Sequence, residues 1–551
     1  MPHTYKILLF VTTLLMTVIS SATEPAEKAI KLPELSPSSD QHLTPKEEAI
    51  KLPELGPSSD QHLTPKEETI KLPELGPSSD QHLTPKEEAI KLPELGSSSD
   101  KYLTPEEEAR LGREFMLSVR KASSVLDDPL LNEYIQSLGK KLQKHSDAVG
   151  EDFDFFIIDQ SEINAFAGPG GHIGIYSGLI LNTQTESELA SVIAHEIAHV
   201  TQKHLTRAFD AANQINGKTA ALILASILVG AAAGSSDASI AMMTGVQASA
   251  IQEQINFTRS NEEEADTVGI GILAKSNFDP RAMPVFFERL AHASRLYDSG
   301  IPEMLRTHPV TTNRIADALE RAEKYSYRQY PGELSYYLTR EALRVRSFNE
   351  PGKAVKHFAS GLSEGRHLNQ EAHEYGYALA LSANHQDAKA EQIIEKLLQQ
   401  KPDQTEYIVA SANIAKKLGK NDKALKILDT SYSLTPENYP LSITLIKTLT
   451  EQNQLTKARK IAQQTIALRN NDPILYRLLS KIEELDDHQA ESHRMLAEAY
   501  VINGEYRLAV QQLEVALKKV DQTDFYQTSR IESSLNKLRN MVKAQDQADR
   551  K

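Results

Sequence analysis

Apolar and polar positions follow two rhythms along the chain. Between residues 153 and 180 the period is short. FDFFIID (Phe153–Asp159) is a nearly unbroken apolar run and HIGIYSGLI (His172–Ile180) alternates, so both predict strands, with Pro169-Gly170-Gly171 turning the chain between them. The rhythm then becomes helical. Thr185 and Glu188 form a capping-box pattern that opens the helix ESELASVIAHEIAHVTQKHL. An earlier helix start is Thr104-Pro105-Glu106-Glu107, with Thr as N-cap, Pro at N1 and Glu at N3, ahead of the amphipathic EARLGREFMLSVRKA. A further stripe in NEEEADTVGIGILAK places Glu262, Ala265, Asp266, Gly269, Ile272 and Leu273 on one helix face, which predicts that they point inward, with Glu263 and Glu264 solvated.

Two stretches repeat. From residue 27 to about 101 the unit is twenty residues, with KLPEL beginning at Lys31, Lys51, Lys71 and Lys91. These units hold too little apolar material for a core, so 23–102 is expected to be a flexible tether duplicated from the entry segment of the next domain. After about Tyr330 the texture is of helix pairs. Ala390, Ala424 and Ala458 lie 34 apart, each five residues past a turn position (His385, Gly419, Asn453). Gly504 with Ala509 repeats the pattern after an apparent insertion, and Ala354 anticipates it. Small residues at this period resemble tetratricopeptide (TPR) repeats, which imply a solenoid over 331–545 with a concave surface for peptides or proteins. A compact domain is expected over 103–330.

Composition narrows the chemistry. The 551 residues exceed one ordinary core, and a formal charge of −14 without a basic stretch argues against nucleic acid as a partner. There is no cysteine, so disulfides and thiol catalysis are excluded and any metal must be held by His, Asp or Glu. At the N-terminus, Lys6 precedes the apolar ILLFVTTLLMTVIS, and Ser20 and Ala22 suit a cut after Ala22. Residues 1–22 therefore read as a cleavable signal peptide, with the bacterial periplasm as destination; a permanent anchor is the alternative, though the run is short for a span.

The central chemistry is in SVIAHEIAHV. On a helix, His195 and His199 share a face and can reach one ion, while Glu196 can approach a water there as general base, as zinc peptide hydrolysis requires. A third ligand must come from elsewhere. The pattern HExxHxxGxxH fails, with Gln202 and Leu205 at its later positions, and His204 is out of helical phase with the ligand face. Downstream, Glu262 on the inward stripe is the expected ligand, because a buried carboxylate is costly unless paired or metal-bound. Asp266, one turn on, is expected either to accept the outer N–H of a ligand histidine or to donate a proton. Gly269 would allow close approach of the two helices.

In order, NAFAGPGGHIGIYSGLI, SELASVIAHEIAHVTQKH, NEEEADTVGI and THPVTTNRI resemble the HtpX/CAAX-prenyl-protease class of zinc metallopeptidases. The resemblance implies an α+β, gluzincin-like metallopeptidase domain followed here by the all-α solenoid. By matching motif it implies one Zn2+ held by His195, His199 and Glu262, with Glu196 as base and Asp266 in support. His308, in RTHPV, is expected either to be a fourth ligand that closes the site or to donate to the developing oxyanion; Arg314 is a weaker candidate.

The strand HIGIYSG is expected to pair with an extended substrate by strand addition. The apolar TAALILASILVGAAAG and the following SIAMMTGVQASAI suggest short helices, with peripheral membrane contact through 219–251. With the signal peptide in front and the repeats behind, the resemblance implies an exported endopeptidase acting on unfolded or misassembled outer-membrane proteins, with the outer-membrane assembly machinery as a further partner. The rival is a mainly non-proteolytic chaperone or scaffold for outer-membrane β-barrels.

Overall fold

A three-stranded sheet and one buried helix organise the first half of the chain in this computed structural model, which describes residues 105–148, 152–211, 248–296, 302–521 and 523–549. The expected signal peptide, the twenty-residue repeats and the apolar segment 219–247 lie outside the described residues. Helices α1 (Pro105–Ala122) and α2 (Pro129–Gln143) precede β1 (Asp154–Ile158), β2 (Ala165–Ala167) and β3 (His172–Tyr176). The strand order is β1-β3-β2. β3 runs parallel to β1, with Asp154 opposite His172, and antiparallel to β2, with Phe166 opposite Gly174.

The second strand is shorter than its apolar pattern predicts. Ser177–Asn182 is a helix, α3, rather than a continuation of β3. Gly178 is pressed against the preceding loop, where a Cβ would lie 2.1 Å from the Ser161 carbonyl oxygen, and its N–H donates to the Gln160 carbonyl. A short, fully buried apolar run reads alike as strand or helix, so periodicity had no means of separating them. β3 is also the central strand, paired on both sides, so strand addition to HIGIYSG has no free edge. β2 is the edge that remains beside the site.

Across the sheet lies α4 (Glu186–Thr201), buried from Glu186 to Ala198. Thr185 caps it by accepting from the Glu188 N–H, and the Glu188 carboxylate reaches back to the Gln184 N–H and is clamped by Arg289. After a turn come α5 (His204–Ala211), then α6 (Ala248–Lys275), α7 (Ala282–Leu296), α8 (Glu303–Thr307) and α9 (Thr312–Glu323). α6 begins within the second apolar stretch and continues through the acidic motif as one helix. No helix among the described residues is long and apolar enough to cross a membrane.

The solenoid starts at α10 (Leu334–Arg346), followed by α11 (Pro351–Glu364), α12 (Gln370–Ala383), α13 (Asp387–Gln400), α14 (Thr405–Lys417), α15 (Asn421–Leu434), α16 (Tyr439–Glu451) and α17 (Leu455–Leu468). It ends with α18 (Pro473–Leu485), α19 (Gln489–Ile502), α20 (Tyr506–Lys519) and α21 (Phe525–Asp549). Ala354, Ala390, Ala424, Ala458 and Ala509 are fully buried at helix crossings. His385, Gly419 and Asn453 all adopt left-handed backbone at the turns, as the 34-residue spacing requires.

Between Asn453 and Gly504 lie one regular repeat without the expected residues and then an extra half period, since Gly504 comes only 17 residues after Asp487. Asp487 has φ 58° and keeps the period, and Ser492, not alanine, fills the crossing while bonding Ser480 at 3.1 Å. The repeats are not free on every face, because they receive the first domain. Leu130 of α2 packs on the solenoid core around Ile443 and Leu475, and Glu133 pairs with Arg469 at 3.0 Å.

Candidate metal centre

Four side chains from three segments converge at the inner end of α4. His195 and His199 come from α4, Glu262 from α6, and His308 from the bend between α8 and α9, each offering one ligand atom within 4.8 Å of the others. The His195 and His199 Nε2 atoms face each other at 3.0 Å. Glu262 lies 3.4 Å from each of these nitrogens and 2.9 Å from His308 Nδ1, which is itself 3.4 Å from His195 Nε2. His195 Nε2 therefore has His199 Nε2, His308 Nδ1 and a Glu262 oxygen all within 3.4 Å, more groups than one hydrogen can bridge and an arrangement that one shared cation can satisfy. Three imidazoles and a carboxylate, with no thiolate, are a donor set suited to a divalent transition metal. The residues present therefore fit a metal.

Helical phase explains how Glu262 arrives. Glu262, Ala265, Asp266, Gly269, Ile272 and Leu273 are all buried, whereas Glu263 is exposed. A Cβ on Gly269 would sit 3.3 Å from the His195 backbone nitrogen and 3.0 Å from the Met283 terminal methyl, so α6 and α4 pass in close contact at the ligand's own turn.

The surroundings hold the donors in distinct charge states. Asp266 lies 3.0 Å from His195 Nδ1, and Arg314 bonds both its oxygens at 2.8 Å. Burial opposes ionisation of Asp266, but His195 and Arg314 outweigh it and keep its pKa low. With both oxygens bonded to Arg314 and its pKa held low, Asp266 is placed to accept from His195 rather than to give a proton. Burial likewise opposes the charge on Glu262, yet His308 and His195 hold its pKa well below the usual carboxylate range.

Burial would push the His195 imidazole down; bonds to Asp266 and Glu262 bring it up to about 10. His199, buried beside that positive ring, is pushed well down. For His308, negative Glu262 and Glu196 overcome burial and raise it.

Arg314, ranked low from the sequence, is buried to 4% exposure and also bonds Glu262 at 2.9 Å and the Pro309 carbonyl at 2.8 Å. It fastens both α6 carboxylates and the His308 bend. Its signal was present in the motif, but only the fold reveals what an arginine six residues past a histidine reaches. Glu196 is 1% exposed, and its Oε1 has no hydrogen-bond partner and lies 3.6 Å from His308 Nε2. A buried carboxylate oxygen left free beside the ligand cluster is equipped to take a proton there.

His204 stays outside the group of possible metal ligands, as expected, but for a different reason. α4 ends at Thr201, and Gln202 and Lys203 form a turn in which Lys203 has φ 53°. Helical phase therefore does not carry through to His204, which folds back to within 2.9 Å of His199 Nδ1. Glu264 is not simply solvated, since it bonds both His204 and Arg207.

Residues 129–322 match Peptidase family M48, and residues 415–482 match a tetratricopeptide repeat family. The beta-barrel assembly-enhancing protease of Escherichia coli (strain K12) is 32% identical over 433 residues, covering 78% of this chain and 88% of the relative. A protein of Vibrio cholerae serotype O1 that carries the same name provisionally is 36% identical over 401 residues, covering 73% and 82%. The chain belongs to the beta-barrel assembly-enhancing protease family. Its first domain is thus an M48 metallopeptidase domain and the helix pairs are TPR repeats. More distantly, the mitochondrial metalloendopeptidase OMA1 of Arabidopsis thaliana is 29% identical over 208 residues, covering 36% of this chain and 38% of that protein. Within the M48 domain of this chain, His195, His199, Glu262 and His308 form the group that could hold a metal ion.

Proposed function

We propose that this protein is a periplasmic zinc endopeptidase that cleaves misassembled outer-membrane β-barrel proteins, with its TPR array engaging them or their assembly machinery. The unpartnered Glu196 oxygen beside the convergent donors carries this reading. His195, His199 and Glu262 would hold the zinc, which when bound supplies Lewis acidity to a peptide carbonyl and acidifies a water. Glu196 takes the proton of the attacking water on Oε1 and delivers it to the leaving amine. Asp266 and Arg314 keep His195 facing inward. An extended substrate would add to β2, the sheet edge packed against α4, which selects chains that are not yet folded. The export signal read in residues 1–22 supports the periplasmic assignment.

His308 would be a fourth ligand beside His195, His199 and Glu262, which would close the site at rest until the ring moved aside. That observation gives a chaperone-like reading its place: client binding precedes a gated cut. The test is E196Q. It is expected to retain stoichiometric zinc while losing cleavage of an unfolded outer-membrane protein; cleavage at the wild-type rate would remove the assignment.

A further inference from the structure

The outer nitrogen of the second ligand histidine has a partner that the mechanism above does not use. His204, the first residue of α5, lies with its Nδ1 2.9 Å from His199 Nδ1. Its Nε2 is 3.0 Å from Glu264 Oε2, and the same oxygen receives Arg207 Nη2 at 2.6 Å. His204 is 4% exposed, whereas Glu264 and Arg207 are half-exposed. The contacts form one line from the metal cluster to the surface: His199, His204, Glu264, Arg207.

Chemistry assigns each hydrogen along it. A neutral imidazole that offers Nε2 to a cation carries its hydrogen on Nδ1. His199 then donates from Nδ1, and His204 Nδ1 accepts. His204 keeps its own hydrogen on Nε2 and donates it to Glu264, since a carboxylate only accepts. No other assignment satisfies every member while leaving His199 Nε2 free for metal. We propose that His204, backed by Glu264 and Arg207, is a positioning residue that fixes the tautomer and ring orientation of His199. The proposal rests on the metal-site reading. It makes the site two-sided, because His195 is held in the same manner by Asp266 and Arg314, and each ligand histidine ends on an arginine-anchored carboxylate.

The test compares wild type, H204F, H204Q and E264A for Zn2+ affinity by chelator competition and, with Co2+ bound, by visible absorption. Phe keeps the ring and removes both nitrogens. Gln supplies an oxygen to accept from His199 and an N–H for Glu264. H204F is expected to bind Zn2+ about tenfold to a hundredfold more weakly, with a changed Co2+ spectrum. H204Q should recover most of the affinity, and E264A should lose less, since water can replace a half-exposed partner. Equal affinity and an unchanged spectrum in H204F would overturn the relay, as would equal losses in H204F and H204Q, which would mark packing alone. If H204F does not fold, unchanged affinity and spectrum in E264A overturn it. A wild type that takes up no stoichiometric cation sinks the metal reading itself, and the relay with it.

Discussion

Glu196 and Glu262 are both almost fully buried, and what stands behind them separates their work. Glu262 is tied to Arg314 and His308 and stays ionised; Glu196 keeps one oxygen unbonded. The imidazoles are divided in the same way. The pKa of His195 is up to about 10 and that of His308 is also raised, so taking up a cation at neutral pH must displace ring protons. Proton release on binding means that affinity strengthens as pH rises and weakens as it falls. Calorimetry of zinc binding in buffers of different ionisation enthalpy should show that release, and uptake or no exchange would contradict it. His308 has two candidate roles with opposite consequences. As a closing ligand, its removal should increase basal cleavage, whereas an oxyanion donor would cost about 10²–10³ in rate. The geometry favours closure, so H308A is expected to cleave an unfolded reporter faster than wild type.

At the scale of elements, α4 and α6 form the site by their contact. Helix axes approach to roughly 8–10 Å, and closer only where side chains are small. Gly269 occupies that place, facing the backbone of His195. Val in its stead would force the helices apart at the ligand turn, so G269V should lower zinc content while far-UV helicity remains near wild type; full zinc occupancy would show that the close approach is dispensable. The inward stripe of α6 was legible because 28 helical residues keep one period. The same reasoning kept His204 off the ligand face but did not foresee the two-residue turn that brings it to His199 Nδ1, and it missed the end of β3, where Gly178 meets the neighbouring loop.

At the scale of the whole molecule, peptidase and repeats share core residues. α10 begins past residue 330, yet Tyr336 and Leu343 belong to the first core and Leu338 to the next. Tyr336 bonds Thr183 at 2.9 Å, and Arg340 and Arg344 donate to the Leu181 carbonyl that ends α3. Each large apolar side chain removed from such a core forfeits about 1.5–3 kcal/mol, a sizeable part of a net stability of roughly 5–15 kcal/mol. A chain truncated after 330 should therefore melt lower and aggregate more than one truncated after 346, by thermal unfolding monitored with circular dichroism. Equal stability would make α10 a passive linker. The docking of α2 on the solenoid covers part of its surface.

Local rules, by themselves, determined the helix that carries His195, Glu196 and His199, the inward stripe that carries Glu262, and the turn positions of the solenoid, because spacing on one helix face and a 34-residue period are properties of neighbouring residues. Only the tertiary structure decided that β3 is central, that Asp266 is an acceptor, that Arg314 anchors two carboxylates, and that His204 turns back on His199. Each of those depends on which groups meet across the fold, and a buried charge or an imidazole takes its role from its partners rather than from its place in the chain.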